Sequence, residues 1–429
     1  MSLSSALSTA VSGLTAQSIA LSDISKNISN ASTTAYKSTD TDFQTMLSGI
    51  NGLDTSGGVS AAPSTDLTQQ GQINSATEPT NIAIYGSGFF VVASSANAAT
   101  SGFDYTRDGS FTTDNSGYLV NDSGYYLQGF PTDSSGKVTV SNSSDLASLQ
   151  PINLSKIGGT AKATTQINQT ANLPADANVG DAYDTSVQMI DSLGVSHNID
   201  ESWTKTGANT WSLTLSNPTL ASDSSTTSGS LQTSTGTQTV NVTFSDSGVL
   251  QSTDPSPVTL DVTGLTSGAA DSTITLNLGT PGKTDGITQF ASTTNTPQLG
   301  SPNYTQDGAI YGQLQSVSID ANGLVTASFD NGVKLPVYQI PIATFPNPSG
   351  LSAVTGTIYA ANQAAGNVGL NMPNQGGAGK IEAKSLEGST TDIASEFNKM
   401  IVAQQAYSAA SQVVSTVKNM FDTLSQSLR

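Results

Sequence analysis

The sequence predicts an α+β fold, mainly β, with a discontinuous helical coiled-coil domain from both termini and nested β-rich domains between. Three observations carry this expectation. Residues 3–28 and 393–428 repeat apolar side chains at steps of three and four, the spacing of a coiled-coil seam. The long stretch between them lacks that period and reads as short strands bounded by turn residues. Within it, Asp followed three residues later by Gly recurs just ahead of apolar runs.

The N-terminal stripe is Leu3, Leu7, Ala10, Leu14, Leu21, Ile24 and Ile28, with Gln17 filling the one gap. Only Gly13 weakens the helix, and no proline interrupts it. A helix of this length is roughly 40 Å long. With one face this apolar, it needs a partner to be stable.

Residues 32–75 are rich in Ser, Thr and Gly, and Phe43, Met46, Leu47 and Ile50 suggest one short helical turn. Two apolar runs, 82–85 and 89–92, flank Gly86-Ser87-Gly88 and read as a hairpin. The turn formula follows at Asp114–Gly117, Asp133–Gly136, Asp191–Gly194 and Asp320–Gly323. Asp in the first position bonds its own backbone, and Gly supplies the positive φ. Residues 140–165 and 280–300 have the composition of crossings between domains. Between them, 185–190, 211–215, 240–244 and 273–278 carry strand signals, which suggests an inserted β domain. Pro336, Pro341 and Pro346 mark 335–345 as an edge strand or an extended return.

The C-terminal stripe is Ile393, Phe397, Met400, Tyr407, Ala410, Val414, Val417, Phe421, Leu424 and Leu428, with Gln404 in the remaining slot. Consecutive three-residue steps near Tyr407 read as a stammer. Ser389 with Asp392 fits an N-cap pair. The plainer alternative for both stripes is an ordinary amphipathic helix on a globular core. The expected layout is a terminal helical domain (1–31 and 385–429), an extended linker region (32–75 and 356–384), an inner β domain (76–145 and 290–355) and an inserted outer β domain (146–289).

Composition excludes several function classes. Charged residues are only 11% of the chain and the formal net charge is −18, so nucleic acid and anionic membrane surfaces are poor partners. There is no cysteine, which removes disulfides, thiol catalysis and Cys-based metal sites. No stretch is apolar enough to span a membrane, and the first residues do not resemble a cleavable signal peptide, so any export is expected to use another route. The one histidine, His197, stands near Asp191, Asp200 and Glu201 and reads as part of a surface turn; a Ser-His-Asp hydrolase would have to use it. Gly282-Lys283-Thr284 has Asn277 where a phosphate loop needs Gly, and no turn continues to calcium-loop spacing. No catalytic, cofactor-binding or metal-ligating residue is assigned.

Four segments stand above this background. The run 28–37, with Asn30, Thr33, Tyr36 and Lys37, resembles the signature after the first helix of bacterial flagellar rod and hook proteins, with Ala35 where that signature usually has Gly. Residues 81–92 resemble the strand pair that follows. Tyr105, Arg107, Gly109 and Phe111, continuing to Gly117, match the most specific motif of the family. Residues 386–389 leading to 400–407 resemble its C-terminal helix, with Thr390-Thr391 where Asn-Val is more usual. The chain length, the inserted domain and the segments 191–197 and 343–351 look like the hook members of this axial family rather than the distal rod.

The resemblance implies a non-enzymatic structural subunit that polymerises into a curved helical tube and acts as a universal joint, transmitting torque from rod to filament. It implies export through the flagellar type III apparatus to the outside of the cell. It also implies contacts with the hook cap, the distal rod and the hook–filament junction proteins. The alternatives are a distal rod subunit or a secreted β-rich adhesion module, against which an aromatic content of 6% argues. Assembly contacts are expected on Leu3, Leu7, Leu14, Leu21 and Ile24 and on Phe397, Met400, Val414, Val417 and Phe421.

Overall fold

The structure is a computed structural model and describes residues 3–48, 56–96, 102–140, 142–294 and 296–427. Ile50 and Leu428 lie outside this set, as do the side chains of Leu3 and Leu424. The chain forms two compact units. The first comprises Met1–Ile157, Val317–Ala327 and Leu335–Arg429; the second comprises Gly158–Ser316 and Ser328–Lys334.

Both terminal stripes of the first unit are helices, α1 (Leu3–Ser29) and α2 (Ile393–Ser427), and the remainder is mainly strand. The cap of α2 is Asp392 alone. Its Oδ1 accepts the amides of Ala394 and Ser395, while Ser389 sits too early and caps only the Thr391 amide. The short helical turn expected near Phe43 is instead part of β1 (Thr39–Ser48), which pairs antiparallel with β2 (Ser56–Thr65). This hairpin packs along α1, which therefore lies between α2 and β2. Thr9 Oγ1 donates to the Gly57 carbonyl, and Ser12 Oγ accepts the Val59 amide at 3.2 Å.

The expected hairpin around Gly86-Ser87-Gly88 does not form. Ile82–Tyr85 pairs with Lys380–Ala383, whereas Phe89–Ala93 pairs with 104–106, 126–127 and 342–343. The glycines carry the chain from one sheet to another. Gly88 has φ +121°, and a methyl there would lie 2.1 Å from Ile342 Cγ2. Phe89–Ala93 is buried on both faces and centres a core with Tyr105, Phe130, Phe345 and Tyr359. Lys334–Gln339 is not an edge strand: it lies between Leu324–Phe329 and Tyr126–Pro131. Pairing with the latter begins at Tyr338, beyond Pro336, so the missing N–H breaks no ladder bond there.

The second unit is a β-sandwich. A seven-stranded antiparallel sheet containing Ala182–Ile190, Ser196–Lys205, Thr210–Leu215 and Thr239–Phe244 faces a six-stranded mixed sheet. In the mixed sheet, Gln166–Pro174 runs parallel to Ser272–Asn277 and Ile287–Phe290 and antiparallel to Gly300–Gln306. Inward residues of both sheets, including Trp203, Trp211, Ile167 and Leu260, form one core. Ile287–Phe290 belongs to this core, so the chain leaves the unit at 316–335 and not at 280–300.

All four copies of the turn formula form as read. Each Asp Oδ1 accepts the amides two and four residues later. Gly117, Gly136, Gly194 and Gly323 have φ of +86°, +83°, +85° and +77°. Asn121 builds the same turn with Gly124, because its amide oxygen accepts as a carboxylate does.

Candidate assembly interface

The two helices run antiparallel. Asn27, near the end of α1, meets Glu396, in the first turn of α2, and Ala20 and Ala403 line the same cleft one heptad further on. The residues that α1 buries are Ala10, Ala16, Ala20, Asp23, Ile24 and Asn27; on α2 they are Glu396, Ala403 and Val417. The seam within one chain is therefore turned by about one residue from the Leu stripe. Leu7, Leu14 and Leu21 are half-buried on its flank, as are Met400 and Val414 on α2. The reason is crowding. With a helix on one side and a hairpin on the other, α1 places alanine at three of its six buried positions, where a small side chain lets neighbours approach. Because α2 contributes Ala403 and Ala410 at heptad spacing, its inner face needs no stammer at Tyr407.

Outside that seam α2 remains apolar. Phe397 is 50% exposed, Ile401 52%, Val402 66% and Met420 52%, and Phe421 is also exposed. Phe397 and Ile401 lie on one flank of the helix, Val402 and Met420 on the other. A helix that is apolar on several faces belongs in an interior, and among the described residues nothing encloses these faces of α2.

The motif residues do not line an open site. They hold the chain ends to the β body. Lys37 Nζ lies 2.5 Å from Glu387 Oε1 and 2.5 Å from the Gln69 carbonyl. The same Oε1 accepts the Gly71 amide at 2.8 Å, and Arg107 approaches Glu387 Oε2 at 3.5 Å while its guanidinium lies over Phe89. All three charged side chains are buried. Burial pulls the Lys37 ammonium below its ordinary range, opposed by Glu387, and acts likewise on Arg107. The Arg107 Nε has no hydrogen-bond partner, so the cluster is incompletely satisfied. Tyr105 packs edge-on against Phe345, and Phe111 against Phe90. The Gly109 carbonyl accepts the Ile82 amide. Asn30 and Thr33 bond each other at the end of α1. Ala35 has φ +55°, in the left-handed region that glycine prefers, and its amide donates to the Glu387 carbonyl.

Asn27 and Glu396 escape a reading of the sequence because polar residues beside an apolar stripe usually face water. Here the Asn27 carboxamide is fully used. Nδ2 donates to Glu396 Oε2 at 3.0 Å and to the Thr39 carbonyl; Oδ1 accepts from the Thr39 amide and from Tyr36 Oη. Lys399 bridges Glu396 and Asp40. Glu387 was in a recognisable segment, but nothing in one dimension joins it to residues 37 and 107.

His197 is not on a surface turn. It is fully buried in the sandwich, with Nδ1 2.7 Å from Ser228 Oγ and Nε2 3.0 Å from Asp191 Oδ2. Ser228 is itself buried, so this Asp-His-Ser line ties three segments together inside the sandwich. Ser267 Oγ also donates to Asp191; burial raises that carboxyl, but these donors and two turn amides hold it below its usual range. Among the described residues no cluster suits a metal ion, and no helix is long and apolar enough to cross a membrane.

Comparison with known proteins accounts for nearly the whole chain. Residues 7–37 match the family model described as flagella basal body rod protein, and 83–173 match the flagellar hook protein FlgE/F/G D1 domain. Residues 153–309 match the flagellar basal body protein FlaE D2 domain, and 382–427 match the flagellar basal body rod FlgEFG protein C-terminal model. The flagellar hook protein FlgE of Rhizobium meliloti (strain 1021) is 34% identical, covering 99% of both chains. That of Brucella suis biovar 1 is 33% identical over 99% of both, and that of Salmonella typhimurium 28% identical over 97% of this chain and 98% of its own. The crystal structure of Helicobacter pylori flagellar hook protein FlgE2 aligns at a TM-score of 0.44 and 16% identity, covering 73% of this chain and 100% of that one. This chain belongs to the flagellar hook protein family.

Proposed function

We propose that the chain polymerises through α1 and α2 into the flagellar hook, a curved tube that transmits torque as a universal joint. The observation that carries this reading is the exposed apolar surface of α2, on flanks that the described residues leave uncovered. Neighbouring copies would cover Phe397 and Phe421, and the half-buried Leu7, Leu14, Leu21, Met400 and Val414 would border those contacts. Ile24 and Val417 serve the seam inside each chain. Leu3 extends the α1 stripe.

The β units form the outer body, and their polar, weakly charged faces suit contacts that slide. Export through the flagellar type III apparatus would deliver the chain outside the cell, to be laid down under a hook cap, on the distal rod, and topped by the junction proteins. The sandwich inserted in the chain favours the hook over a shorter rod subunit. Electron microscopy of the purified polymer tests this: a short curved tube is expected, and a straight rod would overturn it.

A further inference from the structure

Small side chains make the α1–α2 seam close, but they also make it repetitive. From Asn27 back along α1, heptad steps give Ala20, Gly13 and Ala6; from Glu396 forward along α2 they give Ala403, Ala410 and Val417. Sliding α2 by one heptad sets Ala410 opposite Ala20 and Ala403 opposite Asn27. Packing alone separates these registers poorly, because alanine faces alanine in both.

The polar pair separates them. In the observed register Asn27 Nδ2 donates to Glu396 Oε2, and both side chains are buried. The pair is also tied to the start of β1 through Thr39, and through Lys399 to Asp40. A one-heptad slip would take Glu396 off its Asn27 donor and leave Asn27 Nδ2 one acceptor short. An unmet hydrogen bond to a buried charged group is among the costlier errors a fold can make. We infer that Asn27 and Glu396 are positioning residues that fix the register of α1 on α2. They thereby set which parts of the α2 apolar flanks each subunit presents to the next. The inference relies on the hook reading only for its sample, the assembled tube.

The chain has no cysteine, so disulfide trapping reads the register cleanly. Ala20→Cys paired with Ala403→Cys reports the native register; Ala20→Cys paired with Ala410→Cys reports the slipped one. Both are oxidised in assembled tubes, where a crosslink within a chain runs at monomer mass on a denaturing gel and one between chains at twice that mass. The native pair is expected to close within the chain and the slipped pair to stay open. With Asn27→Leu and Glu396→Leu together, closure of the slipped pair should rise more than about tenfold, the least that one stranded bond to a charged group implies. Glu396→Gln keeps an acceptor for Asn27 and should restore the native pattern.

A slipped pair that stays silent in the leucine background overturns the inference, as does slippage in Glu396→Gln. Doping the variant chains into excess unsubstituted subunits keeps the readout where the pure variant does not assemble. Tube shape in the same samples reports on the hook reading separately from crosslink position.

Discussion

Replacing Glu387 with alanine would strand two buried cations, Lys37 and Arg107, together with the Gly71 amide. Breaking a buried ion cluster in this way costs on the order of 3–5 kcal/mol. The first unit should lose that stability, read as faster amide exchange in the strands around Phe89. Both tryptophans, Trp203 and Trp211, lie in the sandwich core, so their fluorescence transition should not move and serves as the control. Unchanged exchange would mean that the cluster contributes no net stability.

Glu201 predicts a pH dependence in the sandwich. Burial raises its carboxyl from an ordinary 4.5 to about 7; the Gln169 amide opposes this, and the Trp203 indole N–H tempers it without meeting hydrogen-bond geometry. The folded chain therefore holds a proton that the unfolded chain releases. This contribution is complete below the unfolded value and is lost as pH rises through the folded one, about 3 kcal/mol in all. Tryptophan-detected urea unfolding should weaken between about pH 5 and about pH 8, and Glu201→Gln should flatten that slope. Asp191 and Asp307, both held low, act with the opposite sign and only at more acidic pH. At this scale the motif positions Lys37, Tyr105 and Arg107 stood out in the sequence. Their convergence on Glu387 did not, because residues 37, 107 and 387 meet only through the folded chain.

Among the elements, the Asp-to-Gly turns were legible because every bond that defines them lies within five residues. They still differ in their surroundings. Gly117 and Gly124 both have positive φ, but a methyl on Gly117 would lie 1.9 Å from Ser155 Oγ, whereas one on Gly124 meets nothing within 4 Å. Gly124→Ala should cost about 1–2 kcal/mol from backbone strain alone. Gly117→Ala should cost about 1–3 kcal/mol more through the clash. Exchange protection in Tyr126–Pro131 checks the difference, and equal losses would show that Ser155 yields freely. The segment 82–93 failed as a hairpin for the complementary reason. Its Gly-Ser-Gly sequence permits a tight turn, but the strands that claim each half come from 380–383 and from 104–106, 126–127 and 342–343.

For the whole molecule, the terminal helices should separate folding from assembly. Removing residues 1–30 or 390–429 is expected to abolish tubes in sedimentation and microscopy while the tryptophan transition of the sandwich persists. Tubes formed by either truncated chain would contradict a helical assembly domain.

By itself the sequence determined the helical ends, the β middle, the turns and the family, because each is written in local period, local turn chemistry or a contiguous motif. Tertiary structure decided which face of each helix turns inward. The heptads named a stripe of large apolar residues, but α1, held between α2 and the β1–β2 hairpin, buries three alanines with Ile24, Asp23 and Asn27 and leaves its leucines half-buried. Burial is a property of neighbours, and a periodic pattern cannot say which of two adjacent stripes those neighbours will cover.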